Sequence, residues 1–176
     1  MSIVELLNLK RFPDLARLGQ GYVALHQPEI GQFSYKIAVN DPLSSDSIEK
    51  IVVFASGTDP GLIRQLYQLC NGLWVARFGV FGLRSGPWGL QQPWDINVPN
   101  YFERPASLPS DYLIVGTSFE IDVDGTELKF SHVIIGDGRV VVVELETSGK
   151  IWREYCSIEE WLKKEAERAL DDQSKP

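Results

Sequence analysis

The sequence predicts an α+β domain: helices together with an antiparallel meander in the C-terminal part of the chain. Three observations predict it. Between residues 112 and 155, alternating or β-branched segments follow one another, separated by Asp124-Gly125, Gly136-Asp137-Gly138 and Thr147-Ser148-Gly149, the turn signals of successive hairpins. Two segments, residues 60–70 and 157–169, carry apolar residues at helical spacing between recognisable ends. The chain has 176 residues, 44% of them hydrophobic and 23% charged, which suits one globular domain that buries a core without staples.

The elements follow in order. Residues 2–10 form a short helix with Ser2 as N-cap and Ile3, Leu6 and Leu7 on one side, ended by Phe12-Pro13. Residues 22–25 and 33–39 read as two strands around a turn at 27–31, and residues 40–47 as a loop rich in Asn, Asp, Pro and Ser. The apolar run 48–55 is too short for its periodicity to separate helix from strand. Thr58 or Asp59 caps the next helix, with Pro60 in its first turn, where a missing N–H costs little. Leu62, Ile63, Leu66, Tyr67, Leu69 and Cys70 recur at helical spacing, and Asn71-Gly72 stops the run. A strand is expected around residues 76–81. Residues 82–109, dense in Gly, Pro and aromatics, form a long irregular connection with one helical turn near 95–101.

The meander begins with a short apolar strand at residues 112–115, ended by Gly116. Phe119, Ile121 and Val123 alternate with Glu120, Asp122 and Asp124, as in a half-buried strand with one wet face. After the Asp124-Gly125 hairpin, Leu128, Phe130, His132 and Ile134 continue the alternation. Residues 140–145 open with four β-branched valines in succession, so that strand is covered on both faces at its start, and residues 151–155 form the last strand. Ser157-Ile158-Glu159-Glu160 is a capping box opening a helix whose buried stripe is Ile158, Trp161, Leu162 and Ala166. Residues 171–176 are a polar tail. The chain reads as a single domain, with residues 1–45 an N-terminal extension packed on a unit spanning 46–170.

Composition narrows function. A net charge of -7 repels nucleic acid and anionic lipid and favours basic partners. Residues 1–45 are neutral, Lys10, Arg11, Arg17 and Lys36 balancing Glu5, Asp14, Glu29 and Asp41. Much of the negative charge rides on the meander, where Glu120, Asp122, Asp124, Glu127, Asp137, Glu144 and Glu146 face only Lys129 and Arg139. No apolar stretch reaches the roughly 18 residues of a membrane span, and no signal-peptide pattern is visible. Cys70 and Cys156 make neither a disulfide framework nor a zinc set, and are expected as reduced, mostly buried thiols in a cytoplasmic protein.

His26 and His132 lie far apart, and His132 shares its alternation face with apolar residues, which favours a structural histidine over a catalytic base. The serine-hydrolase elbow, the P-loop and the dinucleotide fingerprint are all absent; Gly82, Gly86 and Gly89 fit neither phosphate motif. Asp122, Asp124 and Glu127 are three nearby carboxylates, but Gly125 directly follows Asp124, as a hairpin needs and a calcium loop does not. No catalytic residue, cofactor or metal is therefore expected. The acidic strand face has two compatible readings, a solvated face that discourages edge aggregation and a docking surface that steers in a basic partner. The aromatics Phe78, Phe81, Trp88, Trp94, Tyr101 and Phe102 read mostly as packing beneath the long connection, with Trp88 and Trp94 as candidate interface anchors. Candidate protein-binding residues are thus Glu120, Asp122, Asp124, Glu127, Glu144, Glu146, Trp88 and Trp94.

From about residue 46 to 169 the order of features resembles the SUKH superfamily, the domain of fungal cell-wall assembly regulators and many bacterial toxin-immunity proteins. The resemblance is carried by the helix Pro60-Gly61-Leu62-Ile63-Arg64-Gln65-Leu66-Tyr67-Gln68-Leu69-Cys70 with Asn71-Gly72, the strand at 78–83, Arg104-Pro105, the run from Leu108-Pro109 through Tyr112 to Gly116, the Asp137-Gly138 turn, and the closing Ser157-Ile158-Glu159-Glu160-Trp161-Leu162. The chain departs from the family pattern at residues 51–60, and residues 1–45 have no counterpart. The resemblance implies an α+β domain with a mixed, mostly antiparallel sheet flanked by helices, and it implies no catalytic set. In the bacterial branch it implies an immunity protein that neutralises a toxin, often a basic nuclease, by direct binding. A regulatory or scaffold domain with a housekeeping protein partner is the alternative, and a metal-dependent hydrolase the remote one.

Overall fold

The computed structural model describes residues 1–25, 35–83, 95–106, 108–144 and 149–172. The elements are α1 (Ile3–Leu6), a 3-10 turn (Leu9–Arg11), β1 (Ala16–Leu18), β2 (Gly21–Leu25), β3 (Tyr35–Asn40), α2 (Ser45–Phe54), α3 (Pro60–Leu69), β4 (Leu73–Val75) and β5 (Phe78–Val80). A π-helical turn (Val98–Phe102), β6 (Leu113–Ile121), β7 (Glu127–Ile134), β8 (Val140–Glu144), β9 (Lys150–Tyr155) and α4 (Ile158–Asp172) follow. The strands form one nine-stranded sheet in chain order, each antiparallel to the next. The α+β class holds, and the expected meander extends from its C-terminal part to the whole sheet. The parallel pairing among the described residues is a single bridge, Gly82 to Asp95.

Residues 1–45, expected as an N-terminal extension packed on the rest of a single domain, contribute strands to that sheet. They supply β1, β2 and β3, and Ile37, Ala38 and Val39 pair with β4. The helices share one layer: α2 packs on α3, α3 on α4, and α4 on β4, β5 and β9. Trp161, Tyr67, Phe78 and Phe130 are fully buried at the centre.

Local chemistry explains the helix ends. Ser2 accepts from the Glu5 N–H while Glu5 accepts from the Ser2 N–H, a reciprocal box. Asp59 Oδ1 accepts from the N–H groups of Gly61 and Leu62 at the start of α3. Ser157 Oγ accepts from the Glu160 N–H at the start of α4. The ambiguous run at 48–55 belongs to a helix because Ser44 caps it through the Ser47 N–H, leaving Ile48 and Ile51 buried and Val53 exposed.

Three expectations need correction. The strand expected around residues 76–81 is present as β5 but is shorter, and an unexpected strand, β4, precedes it in a hairpin that reverses at Ala76, φ 53°. Gly116 does not end a strand. It lies within β6 at an irregularity in register, and a Cβ there would sit 2.5 Å from the Gly79 carbonyl oxygen, so the glycine serves close approach of two strands. The alternation at Phe119, Ile121 and Val123 does not mark a buried face. Val123 is 103% exposed and lies in the turn, while the buried half of β6 comes earlier, at residues 113–118.

Candidate protein-docking surface

The polar residues that most resemble an active centre are buried structure. His132 and Ser118 meet on neighbouring strands, with Ser118 Oγ 2.8 Å from His132 Nε2, and Glu165 of α4 lies 3.8 Å from the same nitrogen. A Ser-His-acid triad needs a bare Nε2 facing the serine and an acid on Nδ1–H. Here the Trp161 indole N–H donates to Nδ1 at 2.9 Å, so the ring proton sits on Nε2 and is donated to Ser118. In this tautomer His132 is not a base toward Ser118. His132 is fully buried, and burial lowers its pKa to about 4, so the ring is neutral at neutral pH.

Glu165 is 1% exposed and anchors α4 to the sheet. Arg153 Nε and Nη2 donate to its two oxygens at 2.8 and 3.2 Å, and the Tyr155 hydroxyl donates to Oε1. Burial raises the Glu165 carboxyl, but the facing His132 and Arg153 with the Tyr155 hydroxyl bring it below its ordinary value. Arg153 Nη2 also lies 2.8 Å from Glu120 Oε1, close enough for ion pairing although that oxygen makes no hydrogen bond. Glu120 thus faces an internal cation while 26% of its side chain stays exposed.

The other acidic candidates do gather. β6 ends and β7 begins at the same end of the sheet where β8 ends and β9 begins, because successive strands are antiparallel. Asp122, Asp124 and Glu127 are exposed on the β6–β7 hairpin. Asp122 Oδ1 accepts from the Val123 N–H and Asp124 Oδ1 from the Thr126 N–H, and the latter bond lowers the Asp124 carboxyl. These two acids thus fix the turn while presenting negative charge. Glu144, half-buried, lies opposite Lys150 in register. Glu146, Trp88 and Trp94 lie outside the described residues, as do His26 and the expected turn at 27–31.

Apolar side chains share that end. Ile121 and Val123 are 53% and 103% exposed, and Ile151 and Trp152 are 42% and 44% exposed. Trp152 is the extra residue of a β-bulge: Arg153 faces Val142 and Ile151 faces Val143, leaving Trp152 without a partner in register. Its ring packs edge-on against Phe130, with centroids 5.5 Å apart, and Lys150 Nζ lies 4.3 Å from its centroid. Trp152 is not among the residues singled out from the sequence. The available signal was Ile151-Trp152, two adjacent large apolar residues in a strand otherwise composed of Lys150, Arg153, Glu154 and Tyr155.

Other features fall elsewhere. Phe78 and Phe81 are buried as expected, whereas Tyr101 and Phe102 are 73% and 74% exposed rather than packed beneath a loop. Cys70 is buried, with its thiol pushed up to about 12 by burial, but Cys156 is exposed, because it lies in the bend between β9 and α4. Among the described residues no group of three His, Cys, Asp or Glu could hold a metal ion, and no helix is long and apolar enough to cross a membrane. No protein-family model, curated protein or solved structure matches the chain.

Proposed function

We propose that the chain is a protein-binding module, acting by occlusion rather than catalysis, whose docking surface is the end of the sheet formed by the β6–β7 hairpin and the adjoining ends of β8 and β9. One observation carries this reading: exposed carboxylates at Asp122, Asp124 and Glu127 share that end with exposed Ile121, Val123, Ile151 and Trp152. The carboxylates steer a basic partner and set its orientation. The apolar side chains supply the desolvated centre that holds it, with Trp152 as anchor. Charge alone would keep a sheet end soluble, but it gives no reason to leave a tryptophan and three aliphatic side chains in water.

In its concrete form the partner is a basic toxin domain, such as a nuclease, and the chain is its cytoplasmic immunity protein. The SUKH-like order of sequence features and the net charge of -7 support that form. Affinity capture from the native host with the full chain as bait, at low and high salt, tests it. The expected result is a stoichiometric basic protein that is lost as salt rises. Failure to retain any basic protein at low salt rejects the reading.

A further inference from the structure

The face of the sheet opposite α4 carries a cleft of about 260 Å³ between the β6–β7 pair and the segment 98–105. Thr117 and Ser131, register partners on β6 and β7, form its floor, and Phe81, Val98, Pro99 and Pro105 form apolar walls. The wall is held firmly. Buried Asn100 donates to the carbonyl oxygens of Ile96 and Ile114 and accepts from the Ile114 N–H, which pins the π-helical turn to β6. Small-molecule sites span roughly 300–1,000 Å³. This cleft lies at the small end of that scale and has room for one long side chain.

Its charge is specific. Glu103 lines the mouth and is exposed; its N–H donates to the Val98 carbonyl, but its carboxylate has no hydrogen bond or ion pair among the described residues. Lys129 lines the sheet side and is already engaged by another group. Tyr101 and Phe102, from the same turn as Val98 and Pro99, are 73% and 74% exposed with ring centroids 5.1 Å apart. Apolar walls, an unpaired carboxylate at the mouth and exposed aromatic rings beside it match a side chain with an aliphatic stem and a flat cationic head.

We infer that this cleft receives an arginine side chain of the protein partner, its stem between the proline walls and its guanidinium on the Glu103 carboxylate. The inference deepens the proposed docking role and rests on it for the partner's basic character. It places a contact on the sheet face, next to the acidic end and distinct from it.

The test uses the full chain and a defined probe, the peptide acetyl-Gly-Arg-Gly-amide, with backbone amide shifts read by NMR. Expected are saturable shifts at Val98, Glu103, Thr117 and Ser131 at roughly millimolar peptide. Glu103→Gln, at an exposed position, should weaken binding about threefold to fivefold. A norleucine peptide, which keeps the stem and lacks the charge, should bind more weakly still. The cleft assignment is overturned if no saturable shift occurs at those four amides, or if the norleucine peptide binds as well as the arginine peptide. Arginine-dependent shifts confined to residues 122–127 also overturn it, while leaving the docking surface standing. Conversely, the triple variant Asp122→Asn, Asp124→Asn, Glu127→Gln should leave peptide binding at the cleft intact even if it abolishes partner capture, so the two claims fail separately.

Discussion

Arg153 stands between two carboxylates, one of them 1% exposed, and that position decides what its loss would do. Replacing one member of a buried ion pair leaves an uncompensated charge and costs about 3–5 kcal/mol, whereas replacing the pair by apolar residues is far milder. Arg153→Met should therefore fall in that range by urea unfolding, and adding Glu165→Leu should recover a large part of it. His132 gives a pH signature. Its folded pKa of about 4 lies below the ordinary 6.5, so the unfolded chain takes up the proton first as pH falls. The stability at stake is intact above pH 6.5 and is lost progressively down to about pH 4, amounting to about 3 kcal/mol. Glu165, lowered from 4.5, acts in the same direction below that value. His132→Gln, measured by urea unfolding between pH 7.5 and 4, should show a flatter loss than the parent chain. An equal slope in the two proteins would mean that other groups carry the acid sensitivity. None of this network was legible in the sequence beyond the placing of His132 on an apolar face. Its partners come from strands and a helix that are distant along the chain.

At the scale of elements, local signals were readable where chemistry is local. Ser2, Asp59 and Ser157 cap as their positions predict, and the β7–β8 turn at Gly136-Asp137-Gly138 is where it was expected. The failures share a cause. Residues 73–81 are apolar almost throughout, and no composition signal marks the reversal at Ala76, whose φ of 53° is imposed by the pairing of β4 with β5. Gly116 was read as a stop because glycine usually punctuates, but its reason is the neighbouring strand's carbonyl. Gly116→Ala should accordingly destabilise the fold by about 1–3 kcal/mol through overpacking, read as a lowered unfolding midpoint with an unchanged slope. The sheet's two outer strands are blunted in different ways: β1 is only three residues long, and β9 carries the Trp152 bulge and alternating charges. Those features argue for docking at the sheet's end and on its face rather than by adding a strand to its edge.

For the whole molecule, the net charge of -7 and its concentration on the meander were legible from composition, and the structure collects Asp122, Asp124, Glu127 and Glu144 at one end of the sheet. The apolar half of that surface was not legible, because whether Ile121, Val123 and Trp152 face solvent depends on where β6 ends and where β9 bulges. In the proposed docking role, charge and exposed apolar side chains act together there. Capture from the native host with three baits side by side separates their contributions: the parent chain, the triple variant Asp122→Asn, Asp124→Asn, Glu127→Gln, and Trp152→Ala. One basic protein is expected on the parent chain. It should be depleted on the triple variant with a weaker salt dependence, and depleted on Trp152→Ala with its salt dependence unchanged. A partner retained equally by all three baits, or none that distinguishes the parent chain from the variants, would contradict that role.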